Sequence, residues 1–197
     1  MSTKEAPLSP PLPRPSRRLP VRTAIVFYGV LFGAAWLWRG AVRGLPLWRS
    51  EPGGSIDWVR DPLIGAIAAA LVIALSAVLT ARTAMGRALA EALGAALGPL
   101  RVRDCAVLAL VSGLGEEAVF RGALQPEVGL LWASLLFAAA HFVPRRGLRV
   151  WSVFALGAGL LLGALYAATG NLVAPVVAHA SINAVNLRKL SREYGGS

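Results

Sequence analysis

Charge is scarce in this chain. Lys, Arg, Asp and Glu make up 15% of its 197 residues, against 56% hydrophobic residues, whereas a soluble domain carries about 25% charged residues. So little charge cannot cover a water-facing surface, which excludes an ordinary soluble domain and indicates an integral membrane protein. Cysteine occurs once, as Cys105, and this excludes an internal disulfide. It reads as a small apolar helix residue. Histidine occurs only twice, as His141 and His179. The HExxH zinc-protease helix is absent, as are the GxSG and GxGD motifs of serine and aspartate intramembrane proteases. The charge that is present is mostly basic, +10 net. Its arginines gather at the ends of apolar segments and form no continuous stripe. With no recognition motif either, nucleic acid is not expected as a partner.

What remains is apolar sequence. Residues 1–20 hold six of the 13 prolines together with Lys4, Arg14, Arg17 and Arg18, which reads as a disordered basic tail. Residues 21–190 read as one membrane-embedded domain. Its apolar segments are 23–38, 62–81, 105–124 and 128–144, followed by 38 residues from Val150 to Leu187 without Lys, Arg, Asp or Glu. A span takes about 20 residues, so the last stretch is expected to break, at Thr169-Gly170-Asn171, into 150–168 and 172–187. The runs are solid rather than alternating, which predicts helices and not a barrel. The expected fold is therefore all-α, a polytopic membrane bundle of about six transmembrane helices. With both termini in the cytosol, 15 of the 20 basic residues lie on the cytosolic side, the direction the positive-inside rule requires. Residues 89–100, rich in Ala and Gly, are expected to form a short amphipathic or interfacial helix.

The chemistry-bearing residues stand out against this background. Ionisable groups in a hydrocarbon setting are costly, and those retained usually face a bundle interior. Glu117 and Arg121 are four apart, on one helix face and within ion-pair reach. Glu116 is rotated from Glu117 by about 100°. One acid can thus be held by the arginine while the other faces a cavity, as a general base would. His179 and Asn183 are four apart as well, placing an imidazole and a carboxamide side by side. Both can donate hydrogen bonds to a developing oxyanion. Each feature also has a structural reading: Glu117 with Arg121 as a helix-orienting pair, His141 as an interfacial residue near Pro144, and His179 with Asn183 as interhelical glue.

The three motifs in order narrow the choice. Glu116-Glu117-Ala118-Val119-Phe120-Arg121 fits EExxxR, Phe137-Ala138-Ala139-Ala140-His141 fits FxxxH, and His179-Ala180-Ser181-Ile182-Asn183 fits HxxxN. In order and separation, over roughly residues 100–187, they resemble the CPBP family. These are the CAAX-protease and bacteriocin-processing (Abi) intramembrane endopeptidases. The resemblance implies a helical membrane protease. Glu116 and His141 would activate water, His179 and Asn183 would form the oxyanion site, and Glu117 and Arg121 would organise both. The family was first described as metalloproteases, and Glu116, His141 and His179 could hold zinc. A metal-independent glutamate mechanism is the reading taken here, with no cofactor. The expected substrate is a membrane-anchored or membrane-proximal peptide or protein. The Ala-, Arg- and Gly-rich composition suggests a bacterial inner membrane, where peptide maturation or removal of a C-terminal sorting tag is preferred over prenylated substrates. The competing classes are a small proton-coupled transporter, which predicts a polar through-path and a repeat, and a non-catalytic membrane scaffold.

One geometric tension accompanies these expectations. Along straight helices, Glu116 would lie about 18 Å inward of Asp104 at 1.5 Å per residue, while His141 would lie near the cytosolic edge.

Overall fold

Long apolar runs without Pro or charge favour helix, and the described residues are helical almost throughout. A computed structural model describes residues 21–51, 54–145 and 148–196, so the expected tail at 1–20 lies outside the described residues. The helices are α1 (Val21–Leu37), α2 (Arg60–Arg82), α3 (Ala84–Leu97), α4 (Val102–Glu117), α5 (Gln125–Ala140), α6 (Trp151–Thr169) and α7 (Val173–Tyr194). Two π-helical segments extend them, Trp38–Val42 after α1 and Ala118–Leu124 after α4. No named strand occurs among the described residues, so the all-α expectation is met. Among the described residues, four helical stretches are long and apolar enough to cross a membrane: Val21–Val42, Arg60–Arg82, Val102–Ala140 and Trp151–Thr169.

Exposure supports the membrane reading. In α2, Leu63, Ile67, Leu71, Leu75 and Val78 form one helical stripe, each more than half exposed. The buried residues of that helix are Asp61, Gly65 and Ala69. Large apolar side chains outside and small ones inside is an arrangement that water would penalise and lipid favours.

Several boundaries differ from those expected. The segments 105–124 and 128–144 form a helical run of two arms that meet without an intervening loop. The run turns at Gly129, whose φ of 82° and ψ of 168° lie outside the helical region. A residue with a side chain would be strained there. The short helix expected over 89–100 spans Ala84–Leu97 instead. Thr83 caps it, its Oγ1 accepting from Gly86 N at 2.9 Å, and Gly98 ends it with φ 67°. The last helix runs past 187 to Tyr194. Its charged end is tied back by Ser191, whose Oγ accepts from Leu100 N at 2.6 Å. The break at Thr169-Gly170-Asn171 lies where expected, with Gly170 left-handed at φ 67°.

α7 is the central packing element, lying against α2, α3, α4 and α6. Glycine permits the closest approaches. A Cβ on Gly65 would collide with the Ala174 carbonyl, and one on Gly113 would stand 3.1 Å from Ala180 N. Thus α2 and α4 meet α7 backbone to backbone. α5 packs on α6, while α1 packs on α4 and the π segment Ala118–Leu124.

A buried polar staple fixes the start of α7. Asp61, fully buried, accepts from Asn171 Nδ2 at 2.6 Å, Arg60 Nε at 2.9 Å and the Asp57 amide at 3.1 Å. Asn171 Oδ1 in turn accepts from Val173 N at 2.9 Å. The loop after α1 joins in: Ser50 N donates to Gly170 O at 2.9 Å and Leu172 N to Trp48 O at 3.0 Å. Removing one member strands buried polar partners, at about 1–3 kcal/mol. Asn171→Ala is therefore expected to lower the melting temperature of the detergent-solubilised protein. Thermal unfolding followed by circular dichroism checks this, and an unchanged melting temperature would contradict it.

Candidate active site

The site forms where α4, the end of α5 and α7 converge. The i,i+4 spacing from the end of α4 into the π segment puts Glu117 beside Arg121, whose Nη1 donates to Glu117 Oε1 at 3.0 Å. Both side chains are at most 1% exposed. From the opposite helix, His179 Nδ1 lies 2.7 Å from the same oxygen. A carboxylate only accepts, so Nδ1 carries the hydrogen. Arg121 Nη2 donates to Gly159 O on α6 at 3.0 Å, and its guanidinium stands 4.6 Å from the Phe137 ring centroid. One buried carboxylate thus fixes an arginine and a histidine at once, and the arginine ties the π segment after α4 to α6.

Glu116 is held differently. Its Oε2 lies 3.5 Å from His141 Nε2 and 4.0 Å from His179 Nε2. It is buried and has no hydrogen-bond partner in the protein. His141 caps the end of α5, and its Nδ1 lies 2.8 Å from Phe137 O. A carbonyl only accepts, so this Nδ1 also carries the hydrogen. Each imidazole is therefore anchored through Nδ1 and turns Nε2 toward Glu116. Phe137 is the common support, its ring 4.3 Å from that of His141 and 6.1 Å from that of His179.

The turn at Gly129 removes the expected depth mismatch. Glu116 precedes Gly129 by 13 residues and His141 follows it by 12. Measured from the turn, the two arms are nearly equal in length, so their ends stand level. The mismatch arose from measuring depth from the membrane surface along straight helices.

Asn183 sits one turn along α7 from His179. Its Nδ2 donates to Ser112 Oγ at 3.0 Å, and Ser112 precedes Glu116 by one turn of α4. Glu116 facing His179 and Ser112 facing Asn183 form two successive rungs between antiparallel helices. Asn183 Nδ2 keeps a second hydrogen that this bond does not use. All six expected residues thus belong to one interface. Sequence reasoning missed Ser112 and the Gly159 carbonyl. Ser112 was signalled only as a lone hydroxyl four residues before Glu116, and a backbone carbonyl leaves no signal.

Among the described residues, no group of three or more His, Cys, Asp or Glu side chains has the geometry of a metal site. Beside His141, an apolar groove of about 470 Å³ is lined by Ala138, Ala139, Phe142, Ser152, Val153 and Leu156.

The class that fold and site define is an all-helical integral membrane protein with paired carboxylates and two imidazoles at its centre. Residues 98–185 match the family model of the type II CAAX prenyl endopeptidase Rce1-like proteins. That match spans all three motifs, and the resemblance to the CPBP family is shown over this segment. The chain is also 46% identical over 80 residues to the uncharacterized protein YpbD of Bacillus subtilis (strain 168), covering 40% of this chain and 41% of YpbD. It therefore spans about two fifths of the length of that curated relative. No solved structure matches the chain.

Proposed function

We propose that this protein is an intramembrane endopeptidase of the glutamate type. It would cut a peptide bond near the membrane in a peptide precursor or a C-terminal sorting tag. The observation that carries this reading is Glu116 Oε2, buried, unpartnered within the protein and faced by the Nε2 atoms of two histidines. Glu116 Oε2 and His141 Nε2 are both acceptors, so a water molecule between them would donate one hydrogen to each. Glu116 then takes a proton as the water oxygen bonds to the scissile carbonyl carbon. The developing oxyanion receives hydrogen bonds from Asn183 Nδ2 and from His179 Nε2 when that ring carries both protons. As the C–N bond breaks, Glu116 passes its proton to the leaving amine. Glu117 and Arg121 orient His179 and take no proton.

We place the protein in a bacterial inner membrane, with six segments, both termini cytosolic and residues 21–190 as the embedded domain. The apolar groove beside His141 would take hydrophobic residues flanking the scissile bond. The proposed chemistry uses no metal. Were zinc used instead, Glu116, His141 and His179 would be its ligands, and a chelator would stop the reaction.

Cleavage of membrane-anchored candidate peptides by the protein in proteoliposomes tests the reading. His141→Ala, His179→Ala and Asn183→Ala are each expected to lower kcat by about 10²-fold or more, with full wild-type activity retained in excess chelator. Wild-type rates in all three variants would overturn the proposed mechanism, and no cleavage by the wild type would favour the transporter or scaffold readings.

A further inference from the structure

Tyr28 lies on α1, outside the segment that matches the family model, yet it reaches the candidate site. Its phenol lies close enough to the Glu116 carboxylate for the two groups to interact electrostatically. The approach is built into the backbone. A Cβ on Gly115 would stand 2.9 Å from Tyr28 O, 3.0 Å from Tyr28 Cβ and 3.1 Å from Tyr28 Cδ1. Glycine at 115 is what lets α1 press against α4 at the residue preceding Glu116. The phenol ring is half-buried and braced edge-on by Phe27 at 5.2 Å.

Glu116 needs such a partner. Glu117 is fixed by Arg121 and His179, whereas the groups facing Glu116 are His141 from the end of α5, His179 from α7 and Tyr28 from α1. Both imidazoles present Nε2 and are otherwise anchored through Nδ1. A glutamate side chain has three rotatable bonds, and an unheld carboxylate would sample several directions. The phenol O–H only has to donate, and a hydrogen bond to a charged acceptor is of the stronger kind.

We propose that Tyr28 is a positioning residue: its hydroxyl donates to the Glu116 carboxylate and holds Oε2 toward His141 and His179. The site is then completed by a helix outside the family-matched segment. This inference rests on the reading of Glu116 as the general base.

The chain contains three tyrosines, Tyr28, Tyr166 and Tyr194, so 13Cζ-tyrosine labelling of the full-length protein in detergent gives three assignable signals. The Tyr28 signal, identified by its loss in Tyr28→Phe, is expected to shift in Glu116→Gln while the other two stay in place. In the cleavage assay Tyr28→Phe, which keeps the ring and its packing, is expected to lower kcat about 10- to 100-fold with KM unchanged. A Tyr28 signal indifferent to Glu116→Gln would overturn the proposal without reference to activity. So would wild-type kcat in Tyr28→Phe beside an inactive Glu116→Gln, with the endopeptidase reading left standing. Full activity in Glu116→Gln would bring down the endopeptidase reading, and the role of Tyr28 with it.

Discussion

Glu116→Gln is expected to insert and fold like the parent and to cleave slower by on the order of 10²- to 10⁴-fold, the usual contribution of a positioned general base. The substitution is nearly isosteric, but an amide cannot take the proton from water. The fold should tolerate it because Glu116 Oε2 has no hydrogen-bond partner in the protein to lose. Stability equal to or slightly above the wild type fits a site held ready for chemistry rather than for packing. Initial rates in proteoliposomes and melting temperatures in detergent check the two halves separately.

Glu117→Ala is expected to do the opposite, damaging the fold first. Arg121 is 1% exposed and would lose the carboxylate of its buried ion pair. His179 would lose the acceptor that orients its ring. Removing one member of a buried pair typically costs about 3–5 kcal/mol because the other charge is left uncompensated. The loss should appear as a large drop in melting temperature. A double variant, Glu117→Leu with Arg121→Met, removes both charges and should recover most of that stability. It should not recover cleavage, since His179 still lacks its Nδ1 partner. Recovery of both would mean that Glu117 acts only as ballast for the arginine.

The contrast between the adjacent acids was legible from sequence because helix geometry alone separates them. The i,i+4 spacing of Glu117 and Arg121, and of Phe137 and His141, translated directly into contacts. The break at Gly170 was legible too, because glycine beside Asn in a charge-free run has few other readings. What the sequence concealed depends on which helices become neighbours. Nothing local says that Asn183 meets Ser112 or that Arg121 reaches the carbonyl of Gly159. Those partners are 71 and 38 residues apart. The staple of Asp61 with Asn171 escaped for the same reason, across 110 residues. Gly129 lies inside the apolar segment 128–144 and gives no signal there, although its positive φ is what turns the second motif back toward the first. Tyr28 gave no signal at all, since an aromatic residue in an apolar run reads as lipid-facing surface.

The central claim is that Glu116 delivers water to a peptide bond, and isotope incorporation tests it most directly. Proteoliposomes holding the full-length protein and a membrane-anchored peptide are incubated in 18O-labelled water, and the fragments are weighed by mass spectrometry. The account predicts one 18O atom in the newly formed carboxylate for the wild type, with or without chelator, and no fragment above background for Glu116→Gln. Equal cleavage by the two proteins, or fragments whose new carboxylate carries no 18O, would contradict it.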